Sequence, residues 1–299
     1  MLKRKMNFVG LSLLLALSFA LAACSSNENA GENTENNNEA VEEKGELVFG
    51  YNNWSENIAV TNMWKILLEE QGYEVELKSM EKSPVWAGIA GGDLDVAAEV
   101  WLPITDEPLY EEYKEDLDLH ETWYEGTGLG LVVPAYMNID SIDELNDNKD
   151  LFEEAQIVGI DPGASLMRLT NDTITEYGLD YELIESSGPA MMTELDKAYE
   201  DEEPIVVTLW NPHWAFADYD LKYLEDPKNV YGDPDDIYYM TRKGFEADHP
   251  EVVTWMNNWQ MDDASLGSLM SIINEEGDAE TGAKKWIEEN RDLVDEWVK

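Results

Sequence analysis

From residue 46 onward, short apolar runs alternate with longer amphipathic stretches, the pattern of strands exchanging with helices. Residues 46–51 read as a strand. Ser55 or Asn57 can cap a following helix that carries Ala59, Met63, Ile66 and Leu67 on one face, and Gly72 ends it. Residues 73–80 alternate with Val75 and Leu77 inward, which completes a βαβ unit and implies a parallel sheet with a right-handed crossover. A short helix over 84–90 stops at Gly91-Gly92, a strand covers 94–100, and a helix runs from about Pro108 to Leu117. The apolar run 129–134 is expected to carry the chain from a first lobe into a second. There the alternation restarts, with helices over 142–152, 165–177 and 190–199 and strands over 156–160, 182–185 and 204–209. Residues 237–241 read as the return strand, and the remainder from His249 as helical. Trp286, Leu293 and Trp297 are expected on one core-facing stripe of the last helix. No repeat of fixed period is present. The predicted class is α/β in two lobes, residues 46–133 with 242–299 forming the first and 134–241 the second.

The start of the chain follows other rules. Lys3, Arg4 and Lys5 precede an apolar run from Val9 to Ala22, and Leu21-Ala22-Ala23-Cys24 resembles the lipobox of bacterial lipoproteins. Residues 1–23 are therefore expected to be a cleaved signal peptide and Cys24 the lipidated first residue. Residues 24–45, rich in Ser, Asn and Glu, read as a flexible tether holding the folded body at the outer face of the cytoplasmic membrane. Cys24 is the single cysteine, so neither an internal disulfide nor a thiolate metal site can form. With 65 acidic against 19 basic residues the formal charge is −46, and loss of Lys3, Arg4 and Lys5 with the signal makes it three units more negative. Such a surface repels nucleic acid and anionic headgroups. Its self-repulsion predicts a stability that rises with salt, as suits a saline habitat.

Three of the predicted strands end in tryptophan-bearing turns: Asn52-Asn53-Trp54, Trp101-Leu102-Pro103 and Trp210-Asn211-Pro212-His213-Trp214. Ligands of open α/β folds are held at such strand ends. Trp54, Trp101 and Trp210 are thus expected to form a box of aromatic faces around a quaternary ammonium cation, whose diffuse charge suits indole better than a carboxylate. Each face contributes about 0.5–2 kcal/mol when desolvated, against about 8 kcal/mol for micromolar binding. A second anchor is needed. Gly159-Ile160-Asp161-Pro162-Gly163-Ala164-Ser165-Leu166 supplies one: a strand, a turn and a helix start that leaves N–H groups at Ala164, Ser165 and Leu166 free for a carboxylate. Glycine betaine is the smallest osmolyte with both ends.

Gly50-Tyr51-Asn52-Asn53-Trp54 with Ile58-Ala59, Val100-Trp101-Leu102-Pro103, Gly159 to Gly163 and Trp210 to Trp214 resemble the glycine betaine and proline betaine binding lipoproteins of ABC importers. The resemblance spans nearly everything from Glu46 to the C-terminus. It implies a type II periplasmic-binding-protein fold with the ligand in the cleft between lobes, Trp54, Trp101 and Trp210 as an aromatic prism, and Ser165 and Leu166 as amide donors to the ligand carboxylate. It also implies permease and ATPase subunits as partners. Such relatives commonly carry a histidine five residues after the second cage tryptophan, where this chain has Asp106. Asp106 either turns away to cap the helix near Pro108, or the ligand lacks a carboxylate, as choline does, with Asp106 or Glu99 near its cation or hydroxyl.

The other aromatic and titratable residues have plainer readings. Trp86, Trp123, Trp214 and Trp259 are assigned to packing, with Trp86 and Trp214 in reserve for the cage. His213 reads first as a hydrogen-bonded structural residue and second as a contact to the ligand's anionic end. His120 and His249 read as surface positions. No enzyme, cofactor or metal is expected: the helix start around Ser165 lacks the second glycine of a nucleophile elbow, and three scattered histidines form no zinc motif. Asp233-Pro234-Asp235-Asp236 lacks calcium-loop spacing and reads as a solvated turn. A lipoprotein receptor or adhesin that binds sugar or protein through surface aromatics is the remaining class.

Overall fold

The computed structural model describes residues 44–152 and 154–299; the expected signal peptide, Cys24 and the expected tether up to residue 43 lie outside the described residues, and Gly45, expected at the tether's end, already opens the first strand. Ten strands form two five-stranded sheets. In the first sheet β1 (Gly45–Tyr51) lies parallel to β2 (Tyr73–Ser79) and β3 (Val96–Leu102). The edge strand β4 (Leu117–Tyr124) pairs with β10 (Asp236–Arg242), which in turn pairs antiparallel with β3. The second sheet places β6 (Gln156–Val158) parallel to β7 (Glu182–Ile184) and β8 (Val207–Asn211). There β5 (Gly128–Pro134) runs antiparallel to β8 and to β9 (Leu221–Tyr223). Around these sheets pack α1 (Ser55–Glu70), α2 (Lys82–Gly91), α3 (Glu107–Tyr113), α4 (Ser165–Tyr177) and α5 (Gly188–Glu200).

The chain crosses between lobes earlier than the sequence pattern suggests. The strand Gly128–Pro134 belongs wholly to the second sheet, since Gly128–Val132 pair with residues of β8 and Leu131, Val132 and Val133 are sealed in the core. The expected boundaries at 133/134 and 241/242 therefore shift to residues 125–127 and to the stretch ahead of Asp236. The two crossings are tied to one another. Thr127 N donates to Asp235 O at 2.8 Å, Asp235 N to Thr127 Oγ1 at 3.1 Å, and Gly126 N to Asp236 Oδ1 at 3.0 Å. Gly126 (φ 80°) and Gly232 (φ 84°) supply left-handed backbone at these bends. Asp235 is no solvated turn residue: its carboxylate is buried and accepts from Ile104 N at 2.6 Å and Thr105 N at 2.8 Å.

Three local expectations fail for identifiable reasons. Residues 142–152 form two short 3-10 turns, Ile142–Glu144 and Asn146–Leu151, rather than one helix. Their Asn and Asp side chains compete for backbone groups, with Asn146 Nδ2 donating to Gly178 O and Asn148 Nδ2 to Glu144 O. The helix expected to reach Leu117 ends at Tyr113, and the strand Leu117–Tyr124 that follows is not announced by the pattern; as an edge strand it keeps mostly its end residues buried, which blurs the alternation. The aromatic stripe near the C-terminus is split over two helices, Ala279–Glu289 and Arg291–Trp297, so Trp286 and Trp297 stack at 6.4 Å while Leu293 faces solvent. The C-terminal helices return to the first lobe. Lys65 reaches Glu280 at 3.1 Å, and Arg291 pairs with Glu70 through both guanidinium nitrogens.

Candidate ligand-binding site

Each cage tryptophan is positioned by a strand end. Trp54 follows β1 and precedes α1, Trp101 lies in β3, and Trp210 lies in β8. The first two therefore belong to lobe one and the third to lobe two. All three line one cavity of about 30 Å³, together with Ser165 and Leu166 at the start of α4 and with Asp106. Trp54 and Trp210 meet as a tilted pair with centroids 6.3 Å apart and planes at 58°. Trp101 and Trp210 each lie two residues ahead of a cis proline, at Pro103 and Pro212.

A carboxyl group holds every one of these indoles. Trp54 Nε1 donates to Asp161 Oδ2 at 3.0 Å, Trp101 Nε1 to Glu99 Oε1 at 2.9 Å, and Trp210 Nε1 to Glu56 Oε2 at 2.8 Å. An N–H bound to an acceptor fixes the ring plane, and where the acceptor is ionised its negative charge strengthens the ring's attraction for a cation. Glu56 and Glu99 are both buried. Their outer oxygens, Glu56 Oε1 and Glu99 Oε2, are buried with no hydrogen-bond partner among the described residues, and one proton shared between the two carboxyls would satisfy both. Burial, and next the charge of Glu99, push the Glu56 carboxyl well above its ordinary range.

The other end of the cavity is formed by the start of α4. Ala164 precedes α4 and its N–H is taken by Asp161 O at 2.9 Å, leaving Ser165 and Leu166 as the open amides. Of the three donors expected from the sequence, only two remain. Asp106 turns into this end. It stands at the N-cap position of α3, yet its side chain makes no cap bond. Instead Oδ2 accepts from Trp101 N at 2.9 Å, and Oδ1 accepts from the Ser165 hydroxyl at 3.0 Å across the cleft. Lys82 Nζ lies 2.7 Å from Asp106 Oδ2, with both side chains buried.

His213 stands behind the cage, outside the cavity lining. Its ring meets Trp210 edge-on at 4.8 Å and 86°. Nδ1 accepts from Ala215 N at 3.1 Å, so Nε2 carries the proton and donates to Ser55 Oγ at 3.2 Å. Burial lowers its pKa to about 3, and the ring is neutral. Ser55 also accepts from Trp214 Nε1 at 3.0 Å. It is the first residue of α1 rather than its cap, and its hydroxyl ties lobe one to lobe two.

Residues 45–289 match the model of the substrate binding domain of ABC-type glycine betaine transport systems. The chain belongs to that family. It is 43% identical over 155 residues to the glycine betaine/carnitine transport binding protein of Listeria monocytogenes, a match over 50% of this chain that spans about half (52%) of that relative. The lactococcal OpuAC structure, closed around glycine betaine, superposes with a TM-score of 0.80 at 32% identity, covering 85% of this chain and 100% of that one. A choline binding protein in complex with choline superposes with a TM-score of 0.78 at 25% identity, covering 85% and 91%. These likenesses carry the two-lobed type II periplasmic-binding-protein fold.

Within this betaine-family frame, the six main candidates, Trp54, Trp101, Trp210, Ser165, Leu166 and Asp106, come together at one cavity. The reserve tryptophans do not. Trp86 is sealed in a separate core under α2, and Trp214 packs against His213 and Tyr219. Trp123 and Trp259 stack at 4.2 Å as packing residues. His120 and His249 are half-buried rather than surface groups: His120 stacks on Tyr239 at 4.6 Å, and His249 packs edge-on against Tyr73 at 5.7 Å. Sequence reasoning missed Glu56, Lys82 and Thr105, all in the cavity lining. The available signals were Glu56 two residues beyond Trp54, and a lysine opening a helix in a chain so poor in bases. Among the described residues no cluster of metal-ligating side chains occurs, and no helix is long and apolar enough to cross a membrane.

Proposed function

We propose that the protein is the extracytoplasmic substrate-binding subunit of an ABC importer and captures a quaternary ammonium osmolyte of the glycine betaine type. The observation that carries this reading is the convergence of three carboxyl-anchored indoles and one open helix start on a single cavity between lobes. The methylated nitrogen sits among Trp54, Trp101 and Trp210, and the carboxylate meets Ser165 N–H and Leu166 N–H. Neither lobe completes the site alone. The ligand therefore binds the closed state preferentially and shifts the population toward it. The closed form then docks on the permease, whose transport is driven by a cytoplasmic ATPase. Lipidation of Cys24 anchors the subunit to the outer face of the cytoplasmic membrane, and residues 24–45 give it reach.

A choline-type ligand is the second reading, favoured by Asp106 in the cavity lining; a carnitine-type ligand keeps a carboxylate and belongs with the first. Titrating the purified protein while following tryptophan fluorescence tests both. Glycine betaine is expected to give a saturable change and to be recovered chemically unaltered. No change with glycine betaine, but saturation with choline, would favour the second reading; no response to either would refute capture.

A further inference from the structure

One buried charge has no part in that reading. Lys82 opens α2 and is only 3% exposed. Its Nζ lies 2.7 Å from Asp106 Oδ2 and 5.0 Å from the centre of the Trp54 ring. An ammonium carries three donors, and among the described residues Asp106 is its one polar partner. Of the side chains that line the cavity, Lys82 is the only base. It stands where Asp106 Oδ1 receives the Ser165 hydroxyl, next to the open amides of Ser165 and Leu166. Thr105 lines the same cavity, and its Oγ1 is buried without a partner. Unused donors therefore collect in one corner.

We propose that Lys82 is the specificity-determining cation of this site, its ammonium bridging Asp106 to the carboxylate of the bound betaine. The proposal rests on the betaine-type reading and deepens it. Two amide N–H groups alone would have to hold the ligand carboxylate against the buried charge of Asp106. With Lys82 in place that charge is neutralised, and the ammonium's remaining N–H groups point the selectivity toward anionic ends. The Thr105 hydroxyl is a further donor at the same place. A ligand whose far end is a hydroxyl gains no charge-assisted bond from Lys82 and leaves it paired to Asp106 alone. The pair thus separates two ligand classes that the aromatic cage cannot tell apart.

The test is calorimetric titration of glycine betaine and choline into the wild-type protein and the double variant Lys82→Met/Asp106→Asn. The double variant removes both charges together, so no lone carboxylate is left buried, and thermal melting checks that it folds. The ratio of glycine betaine affinity to choline affinity is expected to fall by about 10- to 100-fold, the worth of one charge-assisted hydrogen bond. An unchanged ratio would overturn the role of Lys82 while leaving betaine capture intact. A ratio unchanged because both ligands bind tighter would make Lys82 an internal rival for the cage, which also overturns it. Wild-type protein that binds no carboxylate-bearing ligand would overturn both this proposal and the reading beneath it. Should the double variant not fold, a crystal structure of the wild type with glycine betaine decides. Lys82 Nζ within about 3 Å of a ligand carboxylate oxygen is expected, and contact with Asp106 alone refutes the bridge.

Discussion

At the residue scale the site is a set of indoles disciplined by carboxyl groups. An exposed tryptophan ring rotates; one whose N–H is spent on Glu56, Glu99 or Asp161 does not. The arrangement has a cost, since Glu56 and Glu99 lie buried side by side. Glu56 is protonated in the folded protein at pH values where the unfolded chain, near the ordinary 4.5, has lost that proton. In the window above 4.5, up to its raised pKa, the folded state holds the extra proton, so this group's contribution to stability is lost as pH rises. Glu56→Gln keeps an oxygen for Trp210 and an N–H for Glu99 but does not titrate. Its thermal midpoint is expected to exceed that of the wild type by about 2–4 °C near pH 8, the gain closing as pH falls toward the ordinary carboxyl range. Midpoints that run parallel with pH would contradict the shared proton. The pairing is not legible from the sequence, because Glu56 and Glu99 are far apart in the chain; Glu99 alone stands out there, as a candidate near a ligand's cation or hydroxyl. The three tryptophans stand out in the sequence because each lies at or just past the end of a strand, and strand ends are where such folds place ligands.

At the level of elements, the helices and strands that carry the cage follow directly from hydrophobic period. Those that misled it, Leu117–Tyr124 and Ile142–Leu151, lie at a sheet edge or in polar turns, where packing sets the outcome rather than pattern. Lobe membership of Gly128–Pro134 was hidden for a related reason: an apolar strand announces burial but not its partner. The approach of α5 to lobe one at Gly188 is equally silent in the sequence. A Cβ on Gly188 would stand 3.3 Å from Asn53 O and 3.7 Å from Trp54 Cδ1, so this glycine lets the start of α5 meet the Trp54 turn when the cleft is shut. Gly188→Val is expected to weaken glycine betaine binding by about tenfold, while the melting of the unliganded protein stays near that of the wild type. Calorimetry beside thermal melts distinguishes the outcomes. Wild-type affinity in this variant would show that the approach is not part of closure.

For the whole molecule, two lobes joined by hydrogen-bonded crossings at Gly126, Thr127 and Asp235 form a hinge on which the cleft can close. Bonds between lobes, among them Trp210 to Glu56, Ser165 to Asp106 and Arg168 to Thr105 O at 3.2 Å, hold the conformation observed. The chain carries 65 acids to 19 bases, an excess whose repulsion is screened by salt. Thermal midpoints are accordingly expected to rise between low and molar sodium chloride, and a flat or falling response would remove self-repulsion from the account. The central claim is that indoles from both lobes enclose a methylated cation. Calorimetric titration of glycine betaine into wild-type protein and Trp210→Ala tests it most directly. A saturable isotherm for the wild type and an affinity at least about tenfold weaker for Trp210→Ala are predicted; equal affinity in the two proteins would contradict it.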